Sequence, residues 1–168
     1  EEAALELFAH HYETGDVLPK KLLQKIKKSK NFRSGTNCLR QLTFGYLDMA
    51  WFGQHNEVDN VENFERKAIE KTMLKEQDTP GASISTMFAH IFAGGYSAGY
   101  YSYKWAEVLD ADAFEKFQED GIFNKDTAKS FRDNILSQGN ISHPLELYKQ
   151  FRGREPKVEA LLKREGLL

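Results

Sequence analysis

A single cysteine, Cys38, in 168 residues excludes an internal disulfide and fits a reducing compartment, so the expectation is a cytoplasmic protein. No apolar run approaches the ~20 residues of a membrane span, and the acidic opening Glu1-Glu2 is unlike a basic secretory leader. Charge is nearly balanced: 23 Lys and Arg against 25 Asp and Glu leave a net charge of −2, which supplies no general attraction for nucleic acid or an anionic membrane. Neither is an expected partner. The sequence contains no His-Glu-x-x-His and no phosphate-binding loop. It also lacks the sustained period-two alternation of β-branched residues that marks strands.

What remains is helical. The chain is read as all-α and multi-helical, one domain over residues 1–168, long enough to hold a sizeable core without cross-links. Residues 3–13 are helix-permissive and stop at Gly15, and Pro19 opens a basic helix carrying Leu22, Leu23 and Ile26. The longest helix is expected from Phe32 to Phe52, with Leu39, Leu42, Tyr46 and Met49 forming its core stripe and close packing offsetting Gly35 and Gly45. Val61, Phe64 and Ala68 suggest another helix. The main loop is expected between Glu76 and Thr86, around Asp78-Thr79-Pro80-Gly81. A long helix after Ala93-Gly94-Gly95 is expected to reach Glu119. Three shorter ones follow, capped by Asn124 and opened by Pro144 and Pro156. The chain starts without Met in helix-permissive sequence, which reads as a piece cut from a longer protein.

Candidate chemistry concentrates in residues 90–103, where Tyr96, Tyr100, Tyr101 and Tyr103 supply four of the chain's 7 tyrosines. On a helical projection Tyr96, Tyr100 and Tyr103 share one face, while Tyr101, Trp105, Val108 and Leu109 share the opposite one, read as core. Lined-up phenols either bind backbone carbonyls inside a core or donate to a substrate at a cleft. Gly94, Gly95 and Gly99 favour the cleft, because positive φ and hinge motion are costly to keep beside a merely structural helix. His90 adds a titratable ring.

The other clusters read as ordinary surface or core. Glu6, His10 and Glu13 have a spacing that could share a helical face for a metal, but a solvated surface is the preferred reading. Cys38, beside Leu39 and Leu42, is read as a small buried hydrophobe. The run Lys20, Lys21, Lys25, Lys27, Lys28, Lys30 and Arg33 is read as a solvated helix face.

The segment His-Ile-Phe-Ala-Gly-Gly-Tyr-Ser-Ala-Gly-Tyr-Tyr-Ser-Tyr-Lys-Trp-Ala-Glu-Val-Leu-Asp-Ala-Asp-Ala-Phe, residues 90–114, closely resembles the C-terminal region of the thimet-oligopeptidase-like zinc peptidases, family M3. Ala9-His10-His11-Tyr12-Glu13-Thr14-Gly15, Ser29-Lys30-Asn31-Phe32, Leu39-Arg40-Gln41-Leu42 and Phe151-Arg152-Gly153-Arg154-Glu155-Pro156 resemble it in the same order. The resemblance implies a mostly helical, two-lobed enzyme that cuts short peptides in a deep channel. It implies that zinc belongs to the parent enzyme, on a His-Glu-x-x-His helix and a later glutamate upstream of this sequence, so none is expected on this chain and the chain alone should be inactive. It further implies that Tyr103 donates to the oxyanion of the tetrahedral intermediate, that Tyr96 and His90 bind the substrate backbone, and that Tyr100 with Gly94, Gly95 and Gly99 forms the flexible substrate loop. Expected partners are short peptides and the zinc-bearing portion, with self-association through the docking face that portion would leave exposed. A noncatalytic helical module that binds peptides or a partner chain is the alternative reading.

Overall fold

The computed structural model describes residues 1–53, 57–74 and 79–168. Helices dominate, and among the described residues extended pairing is limited to one isolated bridge between His10 and Val17. Contacts divide the chain into two compact units, one of residues 1–34 with 108–168 and the other of residues 35–107. No helix of the described residues is long and apolar enough to cross a membrane.

The first unit begins with α1 (Glu2–Leu5), far shorter than the expected helix over residues 3–13. The chain instead folds back on itself, Gly15 taking φ 75° and the Thr14 hydroxyl bonding Asp16. The helical spacing of Glu6, His10 and Glu13 is therefore not realised. After Pro19, α2 (Lys20–Lys30) buries Leu23 and leaves its lysines in solvent. Past residue 107 the unit holds most of α6 (Ser102–Asp120), then α7 (Lys125–Phe131), a wider π turn over Arg132–Leu136, α8 (Pro144–Arg152) and α9 (Glu159–Arg164). Asn124 caps α7 by accepting from the Asp126 and Thr127 amides, and Gly153 ends α8 in the left-handed conformation. Val108, Ala111, Ala160 and Leu161 form one core cluster. Ala113, Tyr148 and Phe151 form another, with Phe117 and Phe131 packed on it. Within the unit, fully buried Asp112 accepts from Tyr148 Oη and from both terminal nitrogens of Arg154. A buried carboxylate needs such donors to stay charged.

The second unit contains most of α3 (Ser34–Phe52), α4 (Val61–Ile69), a 3₁₀ turn at Ser85–Met87 and α5 (Ala89–Phe92), and it ends in the first turns of α6. Its core gathers Leu47, Ile69, Phe88 and Ile91, with Phe44, Trp51 and Tyr100 packed against them. The expected core stripe of α3 is corrected here: Leu42, Tyr46 and Met49 are exposed, Met49 at 46%, and Leu47 and Asp48 are the buried residues of that helix. Phe44, Leu47 and Trp51 have the same helical spacing as the expected stripe, so both faces are apolar and tertiary packing chose between them. Gly45 accordingly faces open space rather than a close neighbour. Tyr101 and Trp105 are likewise exposed rather than core, Trp105 at 55%, although Val108 on the same face is buried.

The expected main loop falls partly outside the described residues, which exclude Glu76 and Asp78. From residue 79 the chain turns, and its continuation is pinned by buried Glu65. That carboxylate accepts from the Ser83 and Ser85 hydroxyls and from the Ile84 and Ser85 amides, at 2.7–2.8 Å.

Candidate active site

The expected helix across Tyr96 does not form. α5 stops at Phe92, and α6 does not begin until Ser102. Between them the backbone makes a compact loop whose own bonds run from Gly94 N–H to Ala89 O, from Tyr96 N–H to His90 O and from Gly99 N–H to Tyr96 O. Glycine is required at the first turn: a Cβ on residue 94 would lie 2.8 Å from the His90 carbonyl oxygen, and residue 95 has φ 79°. Neither Gly94 nor Gly99 adopts positive φ; Ala98 does, at φ 55°.

Asp48 holds this unusual backbone in place. Its side chain is 0% exposed, and its two oxygens accept from the Ala98 and Tyr100 amides, each at 2.9 Å. Amides that would bond carbonyls four residues back in a helix are thus taken by a carboxylate from α3. The Ser97 hydroxyl adds a bond to the Ile91 carbonyl.

The loop brings four expected site residues together by a route other than a helix face. Tyr96 stacks on Tyr103 with centroids 5.2 Å apart, Tyr100 lies 5.1 Å from Tyr103, and His90 is 6.1 Å from Tyr96 and edge-on to Tyr100 at 6.3 Å. Tyr100 also packs on Phe44 and Phe88 and extends its hydroxyl to Gln41 Oε1 at 3.4 Å. The rings are not sealed in, since Tyr96 is 37% exposed and Tyr103 38%. Hydrogen bonding with the Tyr96 hydroxyl pushes the Tyr103 phenol above its ordinary pKa, and burial raises that of Tyr100 against the field of Arg40. Both phenols are therefore protonated donors at neutral pH.

Two hollows flank the rings. One of about 690 Å³ is bordered by His90, Tyr100, Arg40 and apolar side chains including Leu39, Phe44 and Phe88. The other, about 220 Å³, lies along Leu42, Tyr46 and Met49 beneath Tyr103. Tyr100 and Gln41 line both. The α3 stripe expected in the core thus borders an open groove beside the phenols.

For a metal the residues do not fit. Among the described residues no group of three or more His, Cys, Asp or Glu side chains is gathered as a metal would need. His55 lies outside the described residues. Cys38 is a free, half-buried thiol.

The model of peptidase family M3 matches residues 1–167. The chain belongs to peptidase family M3. Oligopeptidase A of Haemophilus influenzae is 46% identical over 100% of the chain, and oligopeptidase A of Escherichia coli K12 is 45% identical over 99% of it. Dipeptidyl carboxypeptidase of Escherichia coli K12 is 35% identical over 95%. The chain spans about a quarter of the length of these curated relatives, 25% of both oligopeptidases and 24% of the carboxypeptidase. Within this M3 chain, sequence reasoning passed over Asp48. Its signal was a lone acidic residue in the apolar run Tyr46-Leu47-Asp48-Met49, which a helix keeps buried only if donors are waiting.

Proposed function

We propose that this M3 chain forms the substrate-facing wall of a zinc-dependent oligopeptidase that hydrolyses short peptides. The observation that carries the reading is the cluster of Tyr96, Tyr100, Tyr103 and His90 around open hollows, on a loop pegged to a buried carboxylate. Tyr103, a protonated phenol at the mouth of the groove, donates to the oxyanion as the scissile carbonyl becomes tetrahedral. The Tyr96 ring stacked on it orients it beforehand. Tyr96 and His90 bind the peptide backbone, Tyr100 separates the two hollows, and Gly94, Gly95 and Gly99 let the loop adjust to the peptide.

Zinc and the general base are assigned to a part of the parent enzyme outside this chain. That part packs on an apolar docking face of this chain, and a chain lacking it self-associates through the same face. The free thiol of Cys38 suits a cytoplasmic enzyme.

In a longer polypeptide carrying this segment with its zinc site, Tyr103→Phe is expected to lower kcat by about 10²–10³-fold with little change in KM, as loss of a transition-state donor does. Unchanged turnover of a quenched peptide would remove the oxyanion role and favour a noncatalytic binding module. The 168-residue chain with added zinc is expected to cleave nothing, and chelator-sensitive cleavage by it would overturn that assignment.

A further inference from the structure

We propose that Arg40 is a carboxylate anchor: it receives an anionic group of a bound peptide whose neighbouring apolar side chain fills the larger hollow beside His90 and Tyr100. The inference rests on the peptide-binding reading above and adds to it a substrate class. Of the described residues lining that hollow, Arg40 alone carries a permanent charge; besides Gln41 and His90, the others are apolar or hydroxyl-bearing. Its guanidinium lies over the Phe44 ring, 4.8 Å from the centroid, which holds the planar fork in place without satisfying its N–H groups. No carboxylate among the described residues pairs with it. Arg152, Arg154 and Arg164, by contrast, all bind acidic side chains. A guanidinium pre-oriented over Phe44, with no acidic partner among the described residues, suits a bidentate carboxylate, because its planar fork matches the two oxygens.

The hollow also connects to the proposed chemistry. Tyr100 and Gln41 line it and the groove beneath Tyr103 alike, so a peptide anchored at Arg40 extends past Tyr100 toward the phenols. The field of Arg40 already reaches Tyr100, where it opposes the rise in that phenol's pKa. The ligand chemistry is an apolar residue beside a carboxylate, supplied by a peptide's C-terminal end or by an adjacent Asp or Glu side chain.

Calorimetric titration of the 168-residue chain tests this with three tetrapeptides: one ending in a free-acid Phe, the same peptide as its amide, and an amide with Glu before the Phe. Free acid is expected to bind roughly tenfold or more tightly than the amide, the gain of a charge-assisted bond of at least about 1.5 kcal/mol. Arg40→Met should abolish the preference, and Arg40→Lys should restore part of it. A gain confined to the acid assigns the chain terminus and a gain confined to the Glu peptide assigns a side chain, and both support the anchor if lost in Arg40→Met. Equal binding of all three peptides, or a preference that survives Arg40→Met, overturns this inference and leaves the peptide-binding reading standing. Failure of every peptide to bind a chain that is helical by circular dichroism removes both.

Discussion

Asp48 shows how much of the loop depends on one side chain. It is wholly buried and fills two amide donors that lie 50 and 52 residues away. Truncation leaves both donors buried and unpaired, at about 1–3 kcal/mol each. Asp48→Ala is therefore expected to lower the unfolding free energy by roughly 2–5 kcal/mol in urea titrations. Asp48→Asn should recover little, because its amide nitrogen would face an N–H donor where the carboxylate offered an acceptor. His90→Ala, at an exposed ring with no side-chain hydrogen bond among the described residues, should stay within about 0.5 kcal/mol. The sequence displays Asp48 as an oddity in an apolar helix but gives no hint of Ala98 or Tyr100 as its partners.

Among the elements, those with local chemistry at their ends were the most legible. Asn124 and Pro144 act where such residues act in any chain: a cap and a first turn. Asn124→Ala is expected to cost about 1 kcal/mol, read as a lower melting temperature with the helix content of the folded state unchanged. The start of α6 was not legible, because Tyr96-Ser97-Ala98-Gly99-Tyr100 has no proline and reads as continuous with Ser102. A carboxylate from another helix draws two of its amides out of the helical ladder, and Ala98 accepts positive φ in consequence. The tyrosine cluster was thus anticipated on a helical face and is assembled by a folded-back loop. The rings meet all the same, Tyr96 and Tyr100 each packing on Tyr103.

At the scale of the whole molecule, each unit keeps a buried acid charged. Burial pushes Glu65 up, but hydrogen bonds from Ser85, Ile84 and Ser83 outweigh it and hold the carboxyl below its ordinary value of 4.5. Asp112 in the other unit is pushed up by burial and brought below 3.8 by Arg154 and Tyr148, with Arg152 adding to the pull. A folded-state pKa below the unfolded one stabilises the protein fully above the unfolded value, and that stabilisation is lost as pH falls through the folded one. Urea unfolding at pH 7, 5, 4 and 3 is expected to show constant contributions above about pH 5 and a decline below 4. In Glu65→Gln the protein should be less stable at pH 7 and the acid decline shallower. An unchanged slope would show that the depressed carboxyl is not Glu65.

The all-helical class, most helix ends and the special character of residues 90–103 follow from neighbours along the chain: caps, prolines, glycines and the density of phenols act over a turn or two. Which face of α3 is buried, where α6 starts, and which buried acid grips the phenolic loop were settled in space. α3 is apolar on two sides, so periodicity cannot rank them, and a bond such as that from Tyr100 to Asp48 exists only once residues 52 positions apart have been brought together.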